Sequence, residues 1–184
     1  MRGTGSPRRR DWLCLLGLCL AVVAADQAAK AAVVAALEIG DRVDIVPGLD
    51  IVHVTNPGIA FGFLADGPAL ILPVTVIALL AIVAWFGFEG GRRSRMWLPA
   101  GLLSGGAIGN LIDRLRLDHV TDFIDLPYWP SFNIADAAIT VGVVILLFMV
   151  LLGSDPEPEA ADRGDGSEPA VDGETEGGGR RAPA

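Results

Sequence analysis

At 184 residues the chain has room for about one domain, and its net charge of −8 and hydrophobic content of 52% coexist only because they occupy different stretches. Apolar blocks fill most of the sequence, while an Asp/Glu/Pro/Gly-rich tail from Ser154 onward carries most of the net negative charge. That mosaic excludes an ordinary soluble globular protein, and a chain without a basic stripe gives no ground for a nucleic-acid partner.

A membrane-spanning helix needs about 20 mostly apolar residues. After a short N-terminal segment, 1–11, with Arg8, Arg9 and Arg10, the first such block runs from about Trp12 to Val34, interrupted by Asp26, Gln27 and Lys30. Its two cysteines, Cys14 and Cys19, form no CxxC motif and read as small apolar packers. The arginines, the apolar run and Val23-Ala24-Ala25 imitate a cleavable secretory signal. An uncleaved first span is expected instead, because it leaves both basic clusters of the chain on one side.

The segment 37–67 follows. Its Pro47-Gly48 suits the centre of a type II turn between β-branched flanks, which predicts a small hairpin or sheet at the membrane surface. A second span is predicted from about Pro68 to Phe88, and a short loop with Arg92, Arg93 and Arg95 leads to a third, from about Met96 to Ile112. The third carries Gly101, Gly105 and Gly109 at four-residue spacing, a smooth ridge that lets a neighbouring helix approach closely. In the segment 113–131, Tyr128 and Trp129 suit the headgroup level, as does nearby Phe132. The fourth span is predicted from about Phe132 to Leu152.

The expected fold is an all-α membrane bundle of four transmembrane helices with a small extracytoplasmic β-hairpin or sheet. Residues 12–153 form the membrane domain and 154–184 a disordered acidic cytoplasmic tail, too poor in apolar surface to offset its ordering entropy. Positive charge is retained in the cytoplasm, so both termini are placed there.

Ionisable groups inside a membrane cost about 2.5–3.5 kcal/mol each on insertion scales. Here they are not scattered. Asp26, Gln27 and Lys30 lie late in the first span, Asn56 just before the second, Asn110, Asp113 and Arg114 at the end of the third, Asp122 shortly after, and Asn133 and Asp136 at the start of the fourth. The predicted topology puts all of them at similar depth on the outer side. Asn133, Asp136 and Thr140 share one helix face, and Asp26 and Lys30 form an i, i+4 pair of opposite charge. Each has a modest structural explanation: an internal ion pair for Asp26–Lys30 or Asp113–Arg114, a favourable helix N-terminal charge for Asp136. Together they exceed what a purely structural bundle needs.

Ser104 lies in no nucleophile motif, no H-E-x-x-H zinc motif occurs, and no glycine-rich nucleotide motif is present, so neither metal nor cofactor is expected. Two carboxylates remain, sharing a proton as base and acid in the manner of an aspartic peptidase. Composition and spacing leave Asp113, Asp122, Asp125 and Asp136 open as the pair. A small transporter or proton-relay protein is the alternative, although it would place its acids near the midplane and often shows repeat symmetry.

Five stretches narrow the choice: Asp26-Gln27 with Lys30; Asn56-Pro57-Gly58-Ile59-Ala60-Phe61-Gly62; Gly105 to Arg114; Val120-Thr121-Asp122-Phe123-Ile124; and Phe132-Asn133-Ile134-Ala135-Asp136-Ala137. In order and approximate spacing the chain resembles the lipoprotein signal peptidase (signal peptidase II) family from about residue 12 to 152. The resemblance implies an aspartic endopeptidase of the bacterial inner membrane whose catalytic pair is Asp122 and Asp136. It further implies that Asp26, Lys30, Asn56, Gly58, Asn110, Asp113, Arg114 and Asn133 support substrate and dyad. The implied substrate is a prolipoprotein whose signal peptide is cut just before a diacylglyceryl cysteine, near the outer leaflet. Two departures stand out: Pro57 replaces a common Thr and removes a backbone N–H, and Ile59 is bulkier than usual.

Overall fold

The computed structural model describes residues 7–58, 67–89 and 95–152. The acidic segment 154–184, the loop positions Ile59 to Gly62, and Arg92 and Arg93 lie outside the described residues.

Four helices and four strands alternate along the chain: α1 (Arg9–Ala36), β1 (Arg42–Val46), β2 (Leu49–Asn56), α2 (Gly67–Glu89), α3 (Trp97–Leu117), β3 (Val120–Leu126), β4 (Trp129–Phe132) and α4 (Ile134–Leu151). Among the described residues, α1 and α4 are long and apolar enough to cross a membrane, whereas the apolar part of α2, Pro73–Phe88, is shorter. Helix α3 has the length, at about 1.5 Å per residue, but its last turns carry Asp113, Arg114 and Arg116.

Helix α3 is the centre of the bundle, and its glycines explain how. A Cβ on Gly101 would stand 3.1 Å from the Leu15 carbonyl, one on Gly105 2.7 Å from Val22 Cβ, and one on Gly109 2.8 Å from Asp26 Oδ2. The predicted ridge is therefore the seam against α1. Gly106 faces the opposite way, against the Ala135 carbonyl of α4, and Gly142 of α4 receives Leu102 and Leu103 in return. At the end of the bundle remote from Asp26, Leu15, Phe86, Met96 and Ala100 close an apolar core, with Trp12 edge-on to Phe86 at 4.8 Å between ring centres.

The strands form one antiparallel sheet in the order β1-β2-β3-β4. Its first turn is the predicted Pro47-Gly48, with Gly48 at φ +86. The second, Pro127-Tyr128, repeats the geometry with Tyr128 at φ 64, which a non-glycine residue adopts at a cost. The segment read as a run of interfacial rings is thus largely sheet, and α3 continues five residues past the expected Ile112 before Asp118 ends it in a left-handed conformation. Arg42 of β1 pairs with Asp50 of β2 and, at 2.8 Å, with Asp125 of β3, while Ser131 of β4 donates to Asp125 at 2.7 Å. The Ser131 hydroxyl, then the Arg42 charge, hold Asp125 below the usual carboxylate range. His53 links the sheet to α1. It is buried with Nδ1 2.9 Å from the Leu37 carbonyl, and its backbone bonds Gly40 and Asp41, tying the exit of α1 to β2.

Candidate active site

The polar residues singled out in the sequence converge where the ends of α1 and α3, the start of α4 and the β2–β3 edge meet. Their innermost group is a knot around Lys30. Its ammonium touches Asp26 Oδ2 at 2.8 Å, Asp113 Oδ2 at 2.9 Å and Asn110 Oδ1 at 3.0 Å, so its three donors are all used. Lys30 is 4% exposed and Asp26 0%. An unpaired charge at such depth would cost several kcal/mol, which is why each carboxylate gains further donors. Asp26 Oδ1 accepts the Ala135 N–H at 3.0 Å, and Asp113 accepts Gln27 Nε2 at 2.8 Å and the Thr121 N–H at 3.2 Å. The Asp26–Lys30 pair is the predicted one. The expected Asp113–Arg114 contact is not found: Arg114 donates to the Asn110 carbonyl at 3.4 Å instead. Consecutive helical side chains point about 100° apart, so adjacency in sequence does not bring them together.

Beside the knot lie two carboxylates held by amides. Asp122, on β3, is 2% exposed; Asn133 Nδ2 donates to its Oδ1 at 2.7 Å and Asn56 Nδ2 to its Oδ2 at 2.9 Å. Asp136, in the first turn of α4, accepts Asn110 Nδ2 at 2.8 Å on Oδ1 and the Asn133 backbone N–H at 3.4 Å on Oδ2. Asn133 is the N-cap of α4: its Oδ1 accepts the Asp136 N–H at 2.9 Å, completing a reciprocal capping box. One residue therefore holds both acids, Asp122 through its amide and Asp136 through its backbone. Burial pushes the Asp122 carboxyl up to about 6 against the pull of Asn56, with the nearby Asp136 charge adding to the rise.

Local geometry accounts for the remaining predicted residues. Asn56 Oδ1 accepts the Gly58 N–H at 2.8 Å, an Asx turn in which Gly58 takes φ +88. This turn uses the amide of the second residue on, so Pro57, which has none, fits between them. The turn also directs the Asn56 oxygen to Gly58 and its NH2 to Asp122. Asp125, left open by sequence, is drawn into the sheet by Arg42 and Ser131. Two contributors were missed as site residues. Gln27 was noted only as a polar residue, and Thr121 acts through its backbone, accepting Asn133 Nδ2 at 3.4 Å, which no side-chain pattern announces.

Asp136, Asn110 and Arg114 form the polar end of a cavity of about 380 Å³ between α2, α3 and α4, whose other walls include Val74, Ile82, Leu103 and Ile139. Fold and site together define a class: an apolar helical bundle with a small sheet at one end and, beside an apolar groove, one buried and one half-buried carboxylate, both held by amides.

Comparisons with known proteins narrow the class. A sequence model described as signal peptidase (SPase) II matches residues 18–152. The lipoprotein signal peptidase of Moorella thermoacetica is 40% identical over 136 residues, covering 73% of this chain and 91% of the relative. That of Pelotomaculum thermopropionicum is 39% identical over 135 residues, covering 73% and 89%. A solved structure described as a bacterial membrane enzyme superposes with a TM-score of 0.76 at 29% identity, covering 86% of this chain and 98% of the other. The chain belongs to the signal peptidase II family, and by that membership it is a peptidase of the bacterial membrane.

Proposed function

We propose that this chain is an aspartic intramembrane endopeptidase that removes the signal peptide of prolipoproteins, with Asp122 and Asp136 as its catalytic pair. The observation that carries the reading is the pairing of these two carboxylates through Asn133, with Asp136 at the polar end of an apolar groove. All four helices cross the membrane, both termini and Arg92–Arg95 lie in the cytoplasm, and the dyad lies near the outer face. The basic residues at both cytoplasmic ends and the sheet at the opposite end support this orientation. A diacylglyceryl chain on the substrate cysteine stays in the bilayer while the bond before that cysteine enters the site from the groove.

The two acids are set apart by their surroundings. Asp136 sits at the third position of α4, where the helix dipole favours a negative charge. Asp122 sits on a strand and holds its proton to about pH 6 because it is buried. Asp136 therefore takes a proton from water, which attacks the scissile carbonyl carbon while Asp122 gives its proton to the carbonyl oxygen. Collapse of the tetrahedral intermediate breaks the C–N bond. The proton on Asp136 passes to the leaving nitrogen, the hydroxyl proton returns to Asp122, and the dyad again carries one proton.

Single-turnover cleavage of a diacylglyceryl-modified prolipoprotein tests the assignment. Asp122→Asn and Asp136→Asn are expected to give no cleavage while folding normally, because an amide cannot take or share the proton. Asp113→Asn is expected to cleave slowly, since the donors to both dyad members remain. Near wild-type cleavage by Asp122→Asn, with a folded but inactive Asp113→Asn, refutes the dyad.

A further inference from the structure

A buried amide has two faces of similar shape and opposite chemistry, and something must decide which one meets Asp136. Asn110 lies between Lys30 and Asp136. Lys30 carries only donors, so the Asn110 atom 3.0 Å from its ammonium is the oxygen. The Asn110 NH2 is thereby turned to Asp136 Oδ1 at 2.8 Å, where it favours the charged carboxylate. The same oxygen receives Asn133 Nδ2 at 3.2 Å, and Asn133 Nδ2 also reaches Asp122 Oδ1 at 2.7 Å. On its other side Lys30 fixes Asp113, which holds the Thr121 N–H one residue before Asp122.

We propose that Lys30 is a positioning residue of the dyad, which it never touches: its ammonium is the charged and closer of the two donors that turn the Asn110 amide, and with it the donor presented to Asp136, while anchoring the start of β3 through Asp113. This rests on the reading of Asp122 and Asp136 as the catalytic pair. An amide turned the other way presents its oxygen to Asp136 and takes away the donor that favours its charged form. Among the described residues, the charged groups facing the dyad are Lys30 from α1 and Arg114 from α3, with Asp26 and Asp113 behind Lys30; the described α2 side chains, residues 73–88, carry none.

The test is the pH profile of kcat/KM for Lys30→Met on lipidated prolipoprotein, with thermal unfolding as a check on folding. The acid limb is expected to move up by about one pH unit, the share of one donor where two or three donated hydrogen bonds hold a carboxylate about two units down. A purely structural lysine would lower the amplitude of the profile and leave the limb where it is. Should Lys30→Met not fold, Lys30→Met/Asp26→Asn removes the cation and one of its carboxylate partners, restoring the charge balance of the knot without restoring the orienting donor. The upward shift is expected to persist. A folded variant of either kind with the wild-type limb overturns the inference while leaving the dyad standing; cleavage by the dyad mutants overturns the dyad and not the Lys30 geometry.

Discussion

Gly109→Ala tests how packing in the bundle is linked to the chemistry at its end. The added Cβ would lie 2.8 Å from Asp26 Oδ2 and 3.3 Å from Ala135 Cβ. Asp26 cannot give way cheaply. It is 0% exposed, its Oδ2 is the oxygen 2.8 Å from Lys30, and its Oδ1 holds the Ala135 N–H. Relief therefore comes from separating α1 from α3 or from breaking the Lys30 contact. Overpacking a close-packed interior costs about 1–3 kcal/mol. A disturbed buried ion pair adds to this, so about 3 kcal/mol is expected in all. Cleavage should fall with stability, because the displaced Lys30 is the group that orients Asn110. Gly17→Ala is the control, since its Cβ meets nothing within 4 Å. The assay is thermal unfolding of both variants in detergent, followed by single-turnover cleavage by the folded fraction. A Gly109→Ala protein as stable and active as Gly17→Ala refutes the close approach of α1 and α3 at Asp26.

Two further expectations follow from charge. Asp122 is raised from 3.8 to about 6, so the proton it supplies as an acid is fully present below its unfolded value and lost as pH rises through about 6. The alkaline limb of kcat/KM, which reports the free enzyme, is thus expected near pH 6, and that of kcat higher because bound substrate displaces water from the site. A kcat/KM profile that stays flat from pH 5 to beyond 8 contradicts the assignment of Asp122 as the acid. For topology, a cysteine engineered at Ser94 should react with an impermeant thiol reagent only from the cytoplasmic side; labelling from outside reverses the orientation.

Much of the site was legible because membranes make polar residues conspicuous. Asp26, Lys30, Asn110, Asp113, Asn133 and Asp136 stand out in apolar surroundings, and helical spacing places them on shared faces. The glycine ridge was legible for the same reason, since three glycines four residues apart have few other uses in a helix. The sheet was only half legible. Pro47-Gly48 announces its turn because glycine tolerates positive φ. Pro127-Tyr128 makes the same turn with a residue whose aromatic ring suggested a membrane anchor, and so β3 and β4 were not foreseen. The extra length of α3 was hidden for a related reason. Asp113, Arg114 and Arg116 ended the apolar run at Ile112, yet the helix continues because its backbone bonds are indifferent to the polarity of what hangs from them. Partner choice was least legible. Asp113 beside Arg114 invites a pairing that helix geometry forbids, and its real partners come from α1, 83 and 86 positions away for Lys30 and Gln27.

The order in which charge gives way to amide explains the design of the site. Ions occupy the knot, where Lys30 meets Asp26 and Asp113. Around the dyad the contacts are amides: Asn56 and Asn133 to Asp122, Asn110 to Asp136. A lysine or arginine bonded directly to either dyad member would hold it ionised and end the sharing of a proton. Carboxamides fix the same geometry without adding charge, and each has a second end by which it is itself fixed. Asn56 is locked by Gly58, Asn110 by Lys30, and Asn133 by the first turn of α4. Among the described residues Arg114 is the one cation near the pair outside the knot, and it donates to the Asn110 carbonyl. The charged knot thus supplies rigidity from one step away, and the neutral ring it orients adds no charge of its own to Asp122 or Asp136.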